Sequence, residues 1–397
     1  MTKDVFQRRR GRVQVRLRRL KLDGLLVTNV TNVRYLSGFT GDSSWLVVGR
    51  GEGERGGRED GRTGGREEGV RGRGGEGGTG GREEGRGAGA TLITDSRFAE
   101  QAHDECAGCA VVVRKGPLHA VCGRVVRAMG LRRVGFEGRG LVYEEWSRLQ
   151  DGGVTVWVPT AGLVEELRMV KDADEVAAIV RAIRVAEECF RRVRVMVRPG
   201  VSEAGVANEI ECVLRRLGAA GSSFETIVLF GERGSLPHGR PSGRVLRAGE
   251  PVLVDWGARV GLYNSDLTRV LVPSTMSARF ERVYRTVLAA QAAALRGARP
   301  GMRACVLDGV ARGRIAGARL GSRFGHGLGH GVGMEIHEGP AVSALSKDTL
   351  RPGMVFTVEP GVYVPGWGGV RIEDMVLLTR SGPRVLTGLP REMGVSY

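Results

Sequence analysis

Long apolar runs are missing from this chain, and their absence narrows what it can be. No stretch of 18 consecutive apolar residues occurs in the 397 residues, so a transmembrane helix is not expected. The basic N-terminal segment MTKDVFQRRRGRVQVRLRRL lacks the apolar centre of a secretory signal. A transit peptide is the alternative, but we favour an Arg-rich amphipathic helix that leads into a strand, and we expect no membrane partner.

Cysteine is also scarce. The six cysteines are scattered, which is not the framework of a disulfide-stabilised protein and favours a reducing, cytoplasmic location. Cys106 and Cys109 form one CxxC pair, but neither a second ligand pair for zinc nor a redox βαβ setting is evident beside it. We therefore interpret these residues as two ordinary thiols.

Lysine occurs only at positions 3, 21, 115, 171 and 347, so the net charge of +16 comes from arginine spread along the chain. Such a charge attracts nucleic acid non-specifically. A motif that reads bases and an aromatic stacking platform are both lacking, so we expect no specific nucleic-acid partner.

The length predicts two domains, which we place at residues 1–160 and 161–397. Between 91 and 160, short β-like runs alternate with helical stretches, which indicates an α/β domain. Residues 51–90 are rich in Gly, Arg and Glu and repeat the unit GGRE, so we predict a disordered insertion in the turn of a β-hairpin. An RGG-type RNA-binding segment is the alternative, but interleaved glutamates and the lack of aromatics disfavour it.

The second domain contains a weak internal repeat. RPGVSEAG at 198 has a counterpart in RPGMRACV at 299, and RAGEPVLVDWG at 247 matches RPGMVFTVEPG at 351. We predict two similar half-domains, each a helix pair followed by a β-hairpin, related by a pseudo-twofold axis. Asp255 and Glu359 occupy matching positions in the two halves and would meet near that axis.

Each half also supplies a second carboxylate. A turn centred between Val260 and Gly261 would place Asp255 opposite Asp266 on the first hairpin. On the second hairpin, a turn centred at Gly366 would place Glu359 opposite Glu373. Burying four carboxylates among apolar strands is unfavourable without cations. Two divalent ions bridged by shared carboxylates would use all four, and an oxygen-rich site with an imidazole suits Mn, Co, Fe or Zn.

Three of the six histidines lie in FGHGLGHGVGMEIHEGP at 324–340. Glycine allows backbone to approach closely, so we expect the glycines around His326 and His330 to let the imidazoles enter a crowded metal pocket. The HExxH spacing of helical zinc peptidases is absent.

Taken together, these motifs make the chain resemble the pita-bread metallopeptidases, in particular the aminopeptidase P and prolidase branch. TNVRYLSGFTG and TDSRF are similar to the creatinase-type N-terminal domain, for which we expect residues 1–160. LPHGRP, VDWG, SDLTR, GHGLGHGVGMEIHE, VEPGVY and GVRIED follow the family order in residues 161–397. The resemblance implies an α/β N-terminal domain followed by a pita-bread α+β catalytic domain.

The resemblance also implies roles for individual residues. His330 is matched to the metal ligand because His337 follows it by seven residues, as in the family pattern. His238, His326 and His337 would line the substrate pocket and support the tetrahedral intermediate, and Arg371 matches a pocket arginine. The five implied ligands of two divalent ions, with Mn²⁺ placed first, are Asp255, Asp266, His330, Glu359 and Glu373, of which Asp266 and Glu373 would bridge.

The activity implied is that of a homodimeric aminopeptidase that releases the first residue from peptides with proline second, by metal-activated water with Glu359 as proton shuttle. Three alternatives remain. A dipeptidase (prolidase) shares the site and differs in how its entrance admits substrate. A methionyl aminopeptidase is disfavoured, because such enzymes lack an N-terminal domain of this kind. An inactive binding scaffold is disfavoured by the residue types at the five ligand positions.

Overall fold

The structure, a computed structural model, describes residues 3–51, 89–106, 108–150, 155–273 and 275–391. Two compact units divide the chain, Met1–Val164 and Glu165–Tyr397. The division falls just after the sequence-based boundary at 160. The reason is that Arg16 donates a 2.6 Å hydrogen bond to the carbonyl of Leu163, and Val164 is fully buried, so the segment after the last strand packs with the first unit.

The first unit is a six-stranded mixed sheet with helices, as an α/β domain requires. The strand order is β4-β3-β2-β1-β5-β6, in which β1–β2 and β2–β3 are antiparallel and the other pairs parallel. Its strands are β1 (Gly24–Val27), β2 (Trp45–Gly49), β3 (Ala90–Thr94), β4 (Ala110–Val113), β5 (Arg133–Glu137) and β6 (Val156–Thr160). Its helices are α1 (Lys3–Arg19), α2 (Val30–Ser37), α3 (Ala99–Glu105), α4 (Leu118–Ala128) and α5 (Tyr143–Gln150).

The predicted hairpin around the low-complexity segment is confirmed. Trp45 pairs with Ile93 and Val48 with Ala90, and the amide of Gly49 donates to the carbonyl of Gly89 at 2.9 Å. The predicted disorder of residues 51–90 concerns mainly residues 52–88, which lie outside the described part of the chain.

The second unit begins with α6 (Glu165–Arg168) and then repeats one plan twice. The helices of the first half are α7 (Ala173–Val193) and α8 (Glu203–Arg216), and those of the second are α9 (Ala278–Gly297) and α10 (Ala304–Gly317). The first-half strands are β7 (Gly221–Ser222), β8 (Ile227–Phe230), β9 (Val252–Trp256), β10 (Ala258–Val260), β11 (Tyr263–Asn264) and β12 (Leu267–Leu271). The second-half strands are β13 (Gly329–Gly331), β14 (Glu338–Val342), β15 (Val355–Val358), β16 (Gly361–Val364), β17 (Gly368–Arg371), β18 (Asp374–Thr379) and β19 (Gly382–Val385).

The internal repeat predicted from sequence is confirmed in this order of elements. Strand β9 pairs antiparallel with β12, and its counterpart β15 pairs antiparallel with β18. Even the isolated bridges recur, since Ser202 pairs with Val245 before the first set of strands and Arg303 pairs with Thr349 before the second. The central strands thus bring matching segments of the two halves toward each other: the amide of Glu373 donates to the carbonyl of Thr268 at 3.2 Å.

Local signals explain where the long helices begin. Asp172 accepts from the amide of Glu175 at 2.9 Å, and the Glu175 carboxylate accepts from the amide of Asp172 at 3.0 Å, which forms a capping box at the start of α7. Ser202 caps α8 by accepting from the amide of Gly205 at 3.1 Å. None of the helices in the described residues is long and apolar enough to cross a membrane.

Replacing Asp172 with Ala should lower the free energy of unfolding by about 1 kcal/mol, because loss of the cap leaves the amide of Glu175 in the first turn unsatisfied. Differential scanning calorimetry would measure the shift in melting temperature. Asp174→Ala is the matched control, since Asp174 is an exposed acid of the same turn that does not cap the helix. Equal effects of the two substitutions would contradict the assigned role of the capping box.

Candidate active site

Two aspartates lie on the first hairpin of the second unit. Asp255 lies inside β9 on the same face as Leu253, while Val254 and Trp256 pack into the core beside α7 and α8. Asp266 immediately precedes β12. Strand alternation therefore turns Asp255 away from the helices of its own half.

The register predicted for this hairpin is wrong by two residues. A turn centred between Val260 and Gly261 would have set Asp255 directly opposite Asp266, but Thr268 lies opposite Asp255. Asp255 and Asp266 are therefore diagonal neighbours along the hairpin and not a directly opposed pair.

The glycine in the turn explains the shift. Val260 pairs with Tyr263, so the two central residues of the turn are Gly261 and Leu262, with Gly261 at φ +61°. A two-residue hairpin turn of this kind favours glycine at its first central position, where φ is positive. The predicted turn would have put valine there instead.

The second hairpin has the predicted register. Gly361 pairs with Arg371 and Val358 with Asp374, so Glu359 and Glu373 occupy opposed positions between these two pairs. Gly366 stands at the centre of the turn, as predicted. This hairpin therefore supplies a facing pair of glutamates.

The closest grouping joins both halves of the unit. Ligand-capable atoms of Asp266, His330 and Glu373 lie within 4.8 Å of one another. His330 Nε2 is 3.5 Å from Asp266 Oδ2 and 3.4 Å from Glu359 Oε1. His330 Nδ1 lies 3.1 Å from the carbonyl of Gly331, so a proton on Nδ1 leaves the Nε2 lone pair directed at the acids.

The glycines around His330 have a reason different from the one expected. A Cβ on Gly329 would lie 2.1 Å from the carbonyl oxygen of Thr357, and one on Gly331 would lie 2.0 Å from that of Gly339. These glycines allow β13 to approach the backbone on both of its sides. They seat His330 by fixing its strand, and Gly329 also lines the cleft.

Burial and mutual repulsion raise the carboxyl pKa values in this cluster. Desolvation, followed by neighbouring carboxylates, raises the pKa of Asp266 and of Glu373 well above the usual range. Desolvation also raises the pKa of Glu359 to about 7, although Arg371 opposes the shift. Burial lowers the pKa of His330 to about 4, so its ring is neutral near pH 7.

Arg371 neutralises part of this charge. Its guanidinium donates to Asp255 Oδ2 at 2.6 Å, to Thr268 Oγ1 at 3.1 Å, to Tyr363 Oη at 2.7 Å and to the carbonyl of Pro237 at 3.2 Å. The side chain is almost completely buried. Arg371 therefore orients its neighbours, with its donors directed at protein atoms.

Three residues that sequence reasoning missed complete the network. Thr268 donates to Glu373 Oε2 at 2.7 Å, and Thr357 donates to Glu359 Oε1 at 3.0 Å. Tyr363 Oη lies 2.9 Å from His326 Nε2. Thr268 and Thr357 each lie two positions from a predicted acid, so the period-two alternation of strands was a signal that could have found them.

The histidines fall into two groups. His326 uses both ring nitrogens within the protein, Nε2 toward Tyr363 and Nδ1 toward the carbonyl of Gly327 at 2.7 Å, and burial lowers its pKa to about 4. His238 and His337 are exposed, and the His337 ring lies 4.3 Å from that of His330. Exposure leaves His238 and His337 accessible to a ligand.

All nine site residues predicted from the sequence line one cleft. Its volume of about 360 Å³ lies within the usual range of small-ligand pockets. The nine residues are His238, Asp255, Asp266, His326, His330, His337, Glu359, Arg371 and Glu373. Phe224, Glu225, Ile227, Pro237 and Arg240 also line it.

Comparison with known proteins explains this arrangement. Residues 177–380 match the model of metallopeptidase family M24, and residues 9–55 and 85–170 match that of the creatinase/prolidase N-terminal domain. The chain belongs to metallopeptidase family M24. Members of this family are hydrolases that depend on divalent metal ions, and the resemblance inferred from the sequence motifs is confirmed.

Three relatives illustrate the similarity over nearly the whole chain. The peptidase YqhT of Bacillus subtilis is 36% identical over 94% of this chain and 96% of its own. The structure of a Xaa-Pro dipeptidase from Bacillus anthracis aligns with a TM-score of 0.86 at 34% identity, covering 98% of this chain and 99% of its own. The structure of an X-Pro aminopeptidase from Thermotoga maritima aligns with a TM-score of 0.79 at 33% identity, covering 95% of this chain and 99% of its own.

The cluster of this M24 chain has the features of a divalent-metal site. Asp255 Oδ1 and Glu373 Oε1 are buried, and neither has a hydrogen-bond partner among the described residues. Buried carboxylate oxygens without partners are unfavourable, and cations satisfy them. The donor set of carboxylates and one neutral imidazole suits hard to intermediate divalent ions.

Gly329→Ala should destabilise the protein by about 1–3 kcal/mol and weaken metal binding, because the new methyl group would push β13 away from Thr357. Calorimetric unfolding and manganese titration would measure the two effects. Gly325→Ala is the control, because a Cβ there meets nothing within 4 Å. Unchanged metal affinity in Gly329→Ala would show that the strand contact does not position His330.

The raised carboxyl pKa values predict a pH-dependent stability. In chelator-treated protein, the melting temperature should fall from pH 7 to pH 8.5, because the folded state holds protons on these acids that the unfolded state releases at lower pH. The histidines whose pKa is lowered are largely neutral in both states across this range. Added Mn²⁺ should raise the melting temperature more at pH 8.5 than at pH 7.

Glu359→Gln tests the origin of that slope, since the amide keeps the shape but cannot ionise. We expect a shallower fall of melting temperature with pH in the metal-free variant. A melting temperature that rises between pH 7 and pH 8.5 in the metal-free wild type would contradict the assigned carboxyl pKa shifts.

Proposed function

We propose that this M24 metallopeptidase hydrolyses the peptide bond between a first residue of any type and a proline in second position. The observation that carries the proposal is the convergence of nine motif residues on one cleft, with unpartnered carboxylate oxygens at its inner end. The names of the relatives support the substrate class. An Xaa-Pro bond lacks an N–H and has a fixed φ at proline, so it calls for a dedicated pocket.

Five residues would hold two divalent ions in this proposal: Asp255, Asp266, His330, Glu359 and Glu373. We propose Mn²⁺ as the first choice, because oxygen donors dominate and thiolates are absent from the lining residues. Bound divalent ions would lower the pKa of a water molecule and polarise the scissile carbonyl.

The chain's own groups hold and move protons in this proposal. Thr357 holds Glu359 Oε1, which leaves Oε2 to accept a proton from the attacking water. Glu359 then passes that proton to the proline nitrogen as the C–N bond breaks, so that the leaving group departs as an amine. Exposed His337 and His238 would donate hydrogen bonds to the carbonyl oxygen as it gains charge.

His326 and Arg371 take a different role from the catalytic one implied by the resemblance. Both are occupied by protein partners, His326 by Tyr363 and Gly327, and Arg371 by four acceptors that include Asp255. We propose that they are positioning residues. The chain from His326 through Tyr363 to Arg371 would keep Asp255 oriented toward the metal centre.

An aminopeptidase and a dipeptidase both make this cut. The chain is 34% identical to the Xaa-Pro dipeptidase structure and 33% identical to the X-Pro aminopeptidase structure, so both activities stay candidates. The sequence-based homodimer also stays a prediction. All six cysteines are free thiols in the described residues, which supports the proposal of a cytoplasmic location.

Activity is tested with Mn-loaded protein, Ala-Pro and a longer peptide that begins with Ala-Pro, with products identified by mass. We expect release of alanine. His330→Ala should lower kcat/KM at least a hundredfold and lose metal together with activity, since loss of supporting partners alone costs 10–100-fold in related sites. Metal content measured by mass spectrometry gives the second readout.

His103→Ala is the matched control for that experiment. His103 lies exposed on α3 of the first unit and has no place in the cleft. The His103→Ala variant should keep both its bound metal and its turnover. Full activity in His330→Ala, or no cleavage of any Xaa-Pro substrate by metal-loaded wild type, would contradict the proposed function.

A further inference from the structure

Behind the carboxylate cluster, Arg269 joins the two halves of the second unit. Its neighbour Thr268 donates to Glu373 inside the cluster, so alternation along β12 directs the almost completely buried Arg269 to the opposite side. Arg269 Nη1 donates to the carbonyl of Thr268, in the first half, at 2.9 Å and to the carbonyl of Glu373, in the second half, at 2.5 Å. One guanidinium therefore closes the backbone junction at which the two halves meet.

Asp374 holds the other side of this guanidinium. It follows Glu373 in the chain and is completely buried. Its Oδ1 accepts from Arg269 Nη2 at 2.8 Å, and its Oδ2 accepts from Gln291 Nε2 at 2.8 Å. Gln291 Nε2 also lies 3.5 Å from the carbonyl of Val358, the residue before the other glutamate of the second hairpin. The ion pair is therefore tied to the backbone beside both glutamates.

A later segment of the chain, residues 387–391, covers the outer side of the ion pair. Arg269 donates through Nη2 to the carbonyl of Leu389 and through Nε to the carbonyl of Pro390, each at 2.9 Å. A guanidinium presents its donors in a fixed plane, so these carbonyls fix the orientation of the group that holds the junction.

Side chains of segment 387–391 also reach Asp374. The hydroxyl of Thr387 donates to Asp374 Oδ1 at 2.5 Å, and Arg391 Nε donates to Asp374 Oδ2. The segment is held in turn by α9, where Tyr284 donates to the carbonyl of Arg391 at 2.6 Å. Backbone and side chains of one segment thus support both partners of the ion pair.

The value of this arrangement lies in geometry more than in stability. Desolvation offsets much of the attraction within a buried ion pair, so the pair by itself is a weak source of stability. The metal cluster, however, depends on spacing between the halves: ligand-capable atoms of Asp266, from the first half, and of Glu373, from the second, lie within 4.8 Å of each other. A shift at the junction would separate them.

We propose that Arg269 is a positioning residue that sets the spacing between the carboxylates of the two halves, and that segment 387–391 is its support. The inference rests on the ligand set of the proposed function and goes beyond it, because Arg269, Asp374 and the described residues of the segment do not line the cleft. Affinity for divalent ions then depends on how the segment is held, on the side of the strands away from the metal.

The test measures Mn²⁺ affinity of the chelator-treated full chain by isothermal titration calorimetry. Arg269→Lys should raise the Kd about tenfold, because lysine lacks the planar set of donors that holds both halves and the segment. Thr387→Val should raise the Kd severalfold, because the methyl group keeps the shape but no longer donates to Asp374. Both substitutions keep the net charge, so a loss of affinity reports geometry and not attraction.

Two further variants separate positioning from general stability. Thr387→Ser keeps the hydroxyl and should restore the affinity of the wild type. Thr94→Val is the matched control: Thr94 is also buried, and its hydroxyl donates to the carbonyl of Ser43 at 3.1 Å in the first unit. It should lower the melting temperature as Thr387→Val does and leave the Kd for Mn²⁺ unchanged.

The absorption spectrum of bound Co²⁺ gives a second readout, because it reports the arrangement of the ligands. The spectrum should change in Arg269→Lys and in Thr387→Val and match the wild type in Thr94→Val. Should Arg269→Lys fail to fold, Thr387→Val carries the test alone.

The outcomes separate this inference from the proposed function. Wild type that binds Mn²⁺ while Arg269→Lys or Thr387→Val keeps the same Kd overturns the role of Arg269 or of the segment, respectively, and leaves the proposed function standing. Equal losses of affinity in Thr387→Val and Thr94→Val also overturn the inference, because general destabilisation would then explain them. Wild type without affinity for divalent ions overturns both.

Discussion

The second unit depends on one electrostatic constraint: carboxylates from both of its halves have to remain close together in a largely buried place. Repulsion and desolvation oppose this arrangement, which is why the pKa values of Asp266, Glu359 and Glu373 are raised. Arg371 relieves part of the strain through Asp255. The rest is relieved by the divalent ions on which M24 hydrolases depend, so metal binding and stability of the fold are linked.

The repeated architecture is what makes this crowding possible. Strands β9 and β15 are equivalents in the two halves, and each carries or precedes an acid that faces the opposite half. Two packed helices in each half, α7 with α8 and α9 with α10, accompany these strands. The apolar clusters on the two sides hold the strands in place, so a polar site can be built where they meet.

Much of this could be predicted from the sequence because it depends on residue type and local period. The capping box of α7, the second hairpin centred at Gly366 and the internal repeat all follow from short patterns. The family motifs identified which acids and histidines belong together. These features are predictable because each depends on residues close together in the chain or on the similarity of two segments.

The rest could not be predicted because it depends on contacts between distant segments. The turn of the first hairpin is an exception, because Gly261 is itself a local signal for the observed turn at Gly261 and Leu262. The glycines beside His330 are required by Thr357 and Gly339, which only the folded sheet brings near. That His326 has both ring nitrogens occupied follows from Tyr363, a partner 37 residues away.

The two arginines of the cleft show how burial, more than residue type, decides function. Arg371 is surrounded by acceptors in a low-dielectric place, where each hydrogen bond is strong and an unpaired donor would be unfavourable, so it is suited to hold geometry. Arg240 stands on an equally fixed backbone, but solvent weakens its pair with Glu225. The same guanidinium is therefore a rigid support where it is buried and a weakly held group where it is exposed. A cluster of closely spaced carboxylates needs a support of the first kind, because Asp255 has to stay in place while its like-charged neighbours repel it.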